Sequence, residues 1–148
     1  MDKNLLIVVI IFAFFSCQKE KKCNVGLSPF GVVVKFISSE STLDTIEAKK
    51  YIDIEKVYKK YVDNKNLTSY QVWKNKLEFT NNLSKDKKFT NQFKFHNYEF
   101  SEVIKNKKAS VTFSSKNINS NIKLINYFLE LQDDKWIIVD ITYTKANK

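Results

Sequence analysis

The sequence predicts an α+β domain in which helices come first and a curved antiparallel sheet of about four strands follows. Three observations carry this. Between Ser28 and about Asn82, apolar residues recur at helical spacing behind capping signals. From Ala109 onward, apolar and polar residues alternate with period two. The connections between the alternating segments are short, which makes neighbouring strands antiparallel.

Ser28-Pro29 opens the first helix, with serine as N-cap and proline in the first helical position. Phe30, Val33, Val34 and Ile37 then follow the i, i+3, i+4, i+7 spacing expected of one buried face. Asp44-Thr45-Ile46-Glu47 reads as a capping box that opens a second helix, and Ile54, Val57, Tyr58 and Tyr61 repeat the helical spacing further on. Thr68-Ser69-Tyr70-Gln71 is another capping box, with Leu67 placed to staple onto Val72. Its helix is expected to run to about Asn82, with Tyr70, Trp73 and Leu77 inward.

The period changes after Lys88. A strand is expected over roughly Gln92 to Ile104, and a second where Ala109, Val111 and Phe113 alternate with Ser110, Thr112 and Ser114. Two more cover Ile122 to Leu131 and Trp136 to Thr144. The whole chain has only two glycines and one proline. Asparagine tolerates positive φ better than most residues. Asn64, Asn66, Asn82, Asn106, Asn119 and Asn121 are therefore expected to do much of the turning.

The last hairpin admits two registers. A three-residue turn at Gln132-Asp133-Asp134 puts Ile125, Tyr127, Leu129 and Leu131 on the face of Ile137, Val139 and Ile141. A two-residue turn at Asp133-Asp134 puts the same four beside Trp136, Ile138 and Asp140. The three-residue turn is preferred because it makes one face wholly apolar. In both registers Trp136, Ile138 and Asp140 share the other face. That face is too apolar for water alone, so it is expected to meet a cavity of the curled sheet, a second subunit or a partner.

The N-terminus has a separate logic. Leu5 to Phe15 is an unbroken apolar run, preceded by Lys3 and followed by Ser16 and Cys17. A basic start, a short apolar stretch and a small residue before the cut make an export signal. As a helix the eleven residues Leu5–Phe15 rise only about 16 Å, against a hydrocarbon core of roughly 30 Å, which disfavours a permanent span. Residues 1–16 are read as the signal, with the cut before Cys17. The segment Phe14-Phe15-Ser16-Cys17 resembles a bacterial lipoprotein signal of the form common in Bacteroidota, although Phe14 stands where leucine is usual. The resemblance implies that Cys17 becomes the mature N-terminus and carries lipid. It implies a cell-envelope location, on the outer membrane or cell surface rather than the inner membrane. A cleaved signal without lipid and an uncleaved anchor are the alternatives.

Lipid on Cys17 removes the only intrachain disulfide partner of Cys23, since the chain has two cysteines. Residues 17–27 then form a lipidated, polar tether, and residues 28–148 form a single domain. Lys19, Lys21 and Lys22 of the tether sit where an anionic membrane surface would attract them.

The formal net charge of +9 invites a nucleic-acid reading, but all 25 basic residues are lysine. Arginine is the bidentate reader of phosphate and guanine, whereas lysine is a point charge. Together with abundant asparagine and isoleucine, the lysine bias matches the codon usage of an AT-rich genome. No nucleic-acid partner is expected.

The order of elements resembles the small NTF2-like (cystatin-like) domains of bacterial lipoproteins. The matching pieces are Ser28-Pro29-Phe30, then Tyr127-Phe128-Leu129-Glu130-Leu131, then Asp133-Asp134-Lys135-Trp136-Ile137-Ile138-Val139-Asp140. Asp134 occupies the place of the usual turn glycine. The resemblance implies the fold, and a fold alone does not assign a function.

Candidate chemistry is sparse. His96 is the only histidine and lies in an alternating segment, so no metal site is expected. Cys23 lies in the tether, and no glycine-rich phosphate loop occurs, so neither a nucleophile–base pair nor a cofactor is expected. The expected function is therefore non-catalytic binding through the face of Trp136, Ile138 and Asp140. The partner is an envelope protein, cell-wall material, a small apolar ligand or a second copy in a homodimer. The alternative is a small isomerase or hydrolase, as in some NTF2-like enzymes, with a buried Asp140 as acid–base group beside Tyr127 or Tyr143.

Overall fold

In the computed structural model, which describes residues 26–63, 66–85, 98–117 and 121–145, the first described element is helix α1 (Pro29–Ser41). The expected signal, Cys17, Cys23, His96 and the expected first part of the first strand lie outside the described residues. The Ser28 hydroxyl accepts a hydrogen bond from the Gly31 N–H at 3.1 Å, and Pro29 fills the first turn, so this start is built as its residues predict. The buried face is rotated from the expected one. Pro29, Val32, Val33, Phe36 and Ser39 face inward, whereas Val34 is exposed. Three consecutive valines leave the phase open, and the sheet below selects Val32 and Val33. Phe30 and Ile37 pack at the margin.

The expected second helix is two short ones. Helix α2 (Thr45–Ala48) is a single turn whose N-cap, Asp44, accepts from the Glu47 N–H at 2.9 Å. Its capping box is only half closed. The Glu47 carboxylate turns instead to Lys50 and to the Tyr51 hydroxyl, and the Asp44 N–H donates to the Ser39 carbonyl. Helix α3 (Ile54–Tyr58) is capped separately by Asp53 and ends in a 3-10 turn over Lys59–Tyr61. The break between them is explained by Ile52, which forms a parallel bridge to Ile138. Ile138 donates to the Tyr51 carbonyl and accepts from the Asp53 N–H, both at 2.8 Å. Extended backbone here ties the helices to the edge of the sheet. Helix α4 (Ser69–Lys85) has a complete capping box: Gln71 N–H donates to the Thr68 hydroxyl, and Thr68 N–H donates to the Gln71 side chain at 2.8 Å. Trp73 and Leu77 are buried.

Four strands follow, β1 (Tyr98–Lys105), β2 (Lys108–Ser115), β3 (Ile122–Gln132) and β4 (Lys135–Lys145). They form one antiparallel sheet in the order β1-β2-β3-β4. The class is therefore α+β, with helices followed by an open four-stranded antiparallel sheet. Ala109, Val111 and Phe113 are buried as their alternation predicts. Of the asparagines expected at turns, Asn106 takes positive φ, at 56°. Asn82 lies inside α4, and Asn64 and Asn119 lie outside the described residues.

The last hairpin corrects the preferred register. Gln132 pairs with Lys135, so the turn has two residues, Asp133 and Asp134, with φ of 45° and 61°. Two positive φ values match a type I′ turn, whose twist suits the flanking strands. Leu129 accordingly pairs with Ile138 and Leu131 with Trp136. The register then slips: Phe128 pairs with Asp140 and Tyr127 with Ile141, which leaves Val139 as the extra residue of a bulge. The bulge inverts the alternation. Ile138 and Ile141 both face the core, and Asp140 turns to the opposite face beside Phe128. Trp136, Ile138 and Asp140 therefore do not share a face. The apolar side of β4 meets the chain's own helices, and Ile138 is 0% exposed. The core lies between that inner sheet face and the helices, and it includes Phe36, Val57, Trp73, Val111, Leu129 and Ile138.

Candidate functional site

The bulge in β4 sets the site. By turning Ile141 inward it brings Tyr143, two residues on, to the same side near the end of the strand. Helix α3 supplies Val57 and Tyr58 opposite them, and the 3-10 turn supplies Tyr61. From α4 come Val72 and Lys76, four apart and so on one helical face. These seven side chains line a cavity of about 340 Å³.

Lys76 is the polar centre of an otherwise apolar and aromatic wall. A half-buried lysine ordinarily extends its ammonium to water. Here Nζ donates to the Tyr58 hydroxyl at 3.0 Å and to the Tyr143 hydroxyl at 3.1 Å. It also lies 5.3 Å and 5.5 Å from the centroids of those two rings, within cation–π range. Among the described residues no carboxylate forms an ion pair with it. Glu40, near the end of α1, acts on it only through space. The Glu40 carboxylate accepts from the Trp73 indole N–H at 2.7 Å.

The electrostatics follow from this burial. For Lys76, burial alone would lower the pKa. Tyr143, Tyr58 and Glu40 outweigh it and hold the ammonium above the usual lysine range. Burial pushes the Tyr58 phenol well above its ordinary range, with the Lys76 charge working the other way. Burial likewise raises the Tyr127 phenol, which lies near enough to feel Tyr143, Glu40 and Lys76. Glu40 is lifted above the ordinary carboxyl value by burial, partly offset by the Lys76 charge and the Trp73 hydrogen bond.

The residues singled out from sequence fall elsewhere. Ile138 is core, and Trp136 packs half-buried against that core. Asp140 is not in the cavity wall. Its side chain is 41% exposed, is ion-paired to Lys60 and accepts from the Ile141 N–H at 2.8 Å. Lys60 also stands 5.2 Å from the Tyr61 ring. Cys17 lies outside the described residues. Among the described residues no group of three or more His, Cys, Asp or Glu converges as a metal site would need, and no helix is long and apolar enough to cross a membrane.

Sequence reasoning missed Lys76, Glu40 and the hydroxyl of Tyr58. The available signal was positional. Lys76 follows Trp73 by three and precedes Leu77 by one, so it lies on the inward stripe of α4. A charged residue on such a stripe needs a partner or a purpose.

No protein-family model, curated protein or solved structure matches the chain.

Proposed function

We propose that this chain is a lipid-anchored cell-envelope protein whose domain, of the NTF2-like (cystatin-like) kind, binds a small apolar ligand without transforming it. The observation that carries this is the cavity between α3, α4 and β4. Its volume of about 340 Å³ falls at the small end of the range for ligand pockets, roughly 300–1,000 Å³. Its wall combines Val57, Val72 and Ile141 with three tyrosine rings and one cation. Many apolar surfaces with a few placed polar groups are what such pockets present.

Binding is favoured over catalysis by the state of the groups in the wall. A general base needs a pKa near the working pH and reach to the reacting proton. Lys76 and Tyr58 both stay protonated at neutral pH, because their pKa values are raised. Asp140 is held by Lys60 outside the wall. The anchor rests on the sequence before Cys17, and the fold family on the order of elements and the Trp136 strand.

A neutral apolar dye reports on the cavity directly. Nile red is expected to bind saturably at one site per chain. Val72→Trp, which fills the space from α4, is expected to abolish this while leaving the far-ultraviolet circular dichroism unchanged. Non-saturable dye binding, or full binding by a folded Val72→Trp variant, overturns the reading.

A further inference from the structure

We infer that the ligand of this cavity carries one carboxylate, seated against Lys76, Tyr143 and Tyr58, with an apolar body along Val57, Val72 and Ile141. This rests on reading the cavity as a ligand site. An ammonium has three donors. Two of those on Lys76 go to phenol oxygens, and no carboxylate among the described residues takes the third. The two phenols act as acceptors toward Lys76, so each keeps its own hydroxyl proton to donate. Tyr143 is partly exposed, which puts one of these protons at the open side. Three donors thus converge at the one polar spot of an apolar wall.

The chemistry of the occupant follows. A cation is repelled by Lys76. A neutral apolar molecule binds more weakly than a carboxylate, because it leaves one ammonium donor unmade. A carboxylate has oxygens enough to take all three donors, and charge-assisted bonds of this kind are about twice as strong as neutral ones. Excluding water with an apolar body strengthens them further. A dianion is disfavoured because, among the described residues, Lys76 is the one cation in the cavity wall, and a second buried charge would be uncompensated. Glu40 does not take this place. Its carboxylate is held by Trp73 and is not part of the wall, so it balances the ammonium charge from outside.

The test compares octanoate with octanamide, which share a body and differ in head-group charge. The protein is the full chain carrying Cys17→Ser, which removes the lipid site and nothing of the domain, and the readout is displacement of Nile red. Octanoate is expected to bind at least tenfold more tightly than octanamide. Lys76→Met is expected to erase that preference while sparing octanamide, and Tyr143→Phe to reduce it severalfold. Tyr143→Phe keeps the ring and so serves if Lys76→Met does not fold. Equal binding of the two probes overturns the carboxylate assignment and leaves the cavity standing. A preference that survives in folded Lys76→Met, or that is undiminished in folded Tyr143→Phe, overturns the assigned seat. If neither probe displaces the dye and Val72→Trp does not affect the dye, the cavity reading itself fails, and the carboxylate with it.

Discussion

Glu40 sets the charge balance around the cavity from outside its wall, and this makes it the residue whose titration is most telling. Burial lifts its carboxyl above the ordinary value of 4.5. Between 4.5 and that raised value the folded chain holds a proton that the unfolded chain has released. Stability from this group is therefore present at low pH and lost as pH rises through the window. Glu47 runs the other way: hydrogen bonds from Lys50 and Tyr51 lower its pKa, and its contribution is lost as pH falls. Comparing the native chain with Glu40→Gln cancels Glu47, because both proteins carry it. The stability of the native chain minus that of Glu40→Gln, from urea unfolding, is expected to fall as pH rises from 4.5 through the raised value. A difference that is flat or rises with pH would mean that Glu40 is not desolvated. None of this was legible in the sequence. Glu40 closes the serine-rich end of α1, and nothing local announces that Trp73, thirty-three residues on, will donate to it.

At the scale of elements, what was legible is what is local. The Thr68–Gln71 capping box, the Ser28-Pro29 start and the alternation through Ala109, Val111 and Phe113 each depend on neighbours a few residues away, and each is built as read. The register of β3 on β4 depends on two distant demands at once. The turn favours two residues with positive φ, while the core takes both Ile138 and Ile141. No single alternation satisfies both, and the Val139 bulge reconciles them. The bulge is why Asp140 sits beside Phe128 and not on the face of Trp136 and Ile138. The turn itself carries strain. Asp133 and Asp134 hold φ of 45° and 61°, a region costly for most L-residues and free for glycine. Asp134→Gly therefore is expected to stabilise the fold by about 0.5–1 kcal/mol, raising the urea midpoint without changing the slope. A loss of stability would show that the Asp134 side chain does more than occupy the turn.

At the scale of the whole molecule, the first described residue and the cavity stand toward opposite ends of β4. Gly26, at the start of the described chain, lies against the carbonyl of Asp134 in the β3–β4 turn. Strand β4 runs away from that turn, and the eight steps from Lys135 to Tyr143 cover about 26 Å. A tether entering at Gly26 thus meets one end of the sheet, while Tyr143 stands toward the other. If residues 17–27 hold the domain at a membrane, the membrane need not cover the cavity. Lipid on Cys17 is then an address and not a part of the binding machinery, and the two roles are separable by a single substitution. Cys17→Ser is expected to move the protein from the membrane fraction to the soluble fraction while leaving the Nile red affinity of the domain unchanged. Intact-mass measurement of the membrane-extracted native chain is expected to show cleavage before Cys17 and an added diacylglycerol. An unmodified Cys17 in the mature protein would remove the anchor, and a loss of dye affinity in a folded Cys17→Ser variant would show that tether and cavity are coupled.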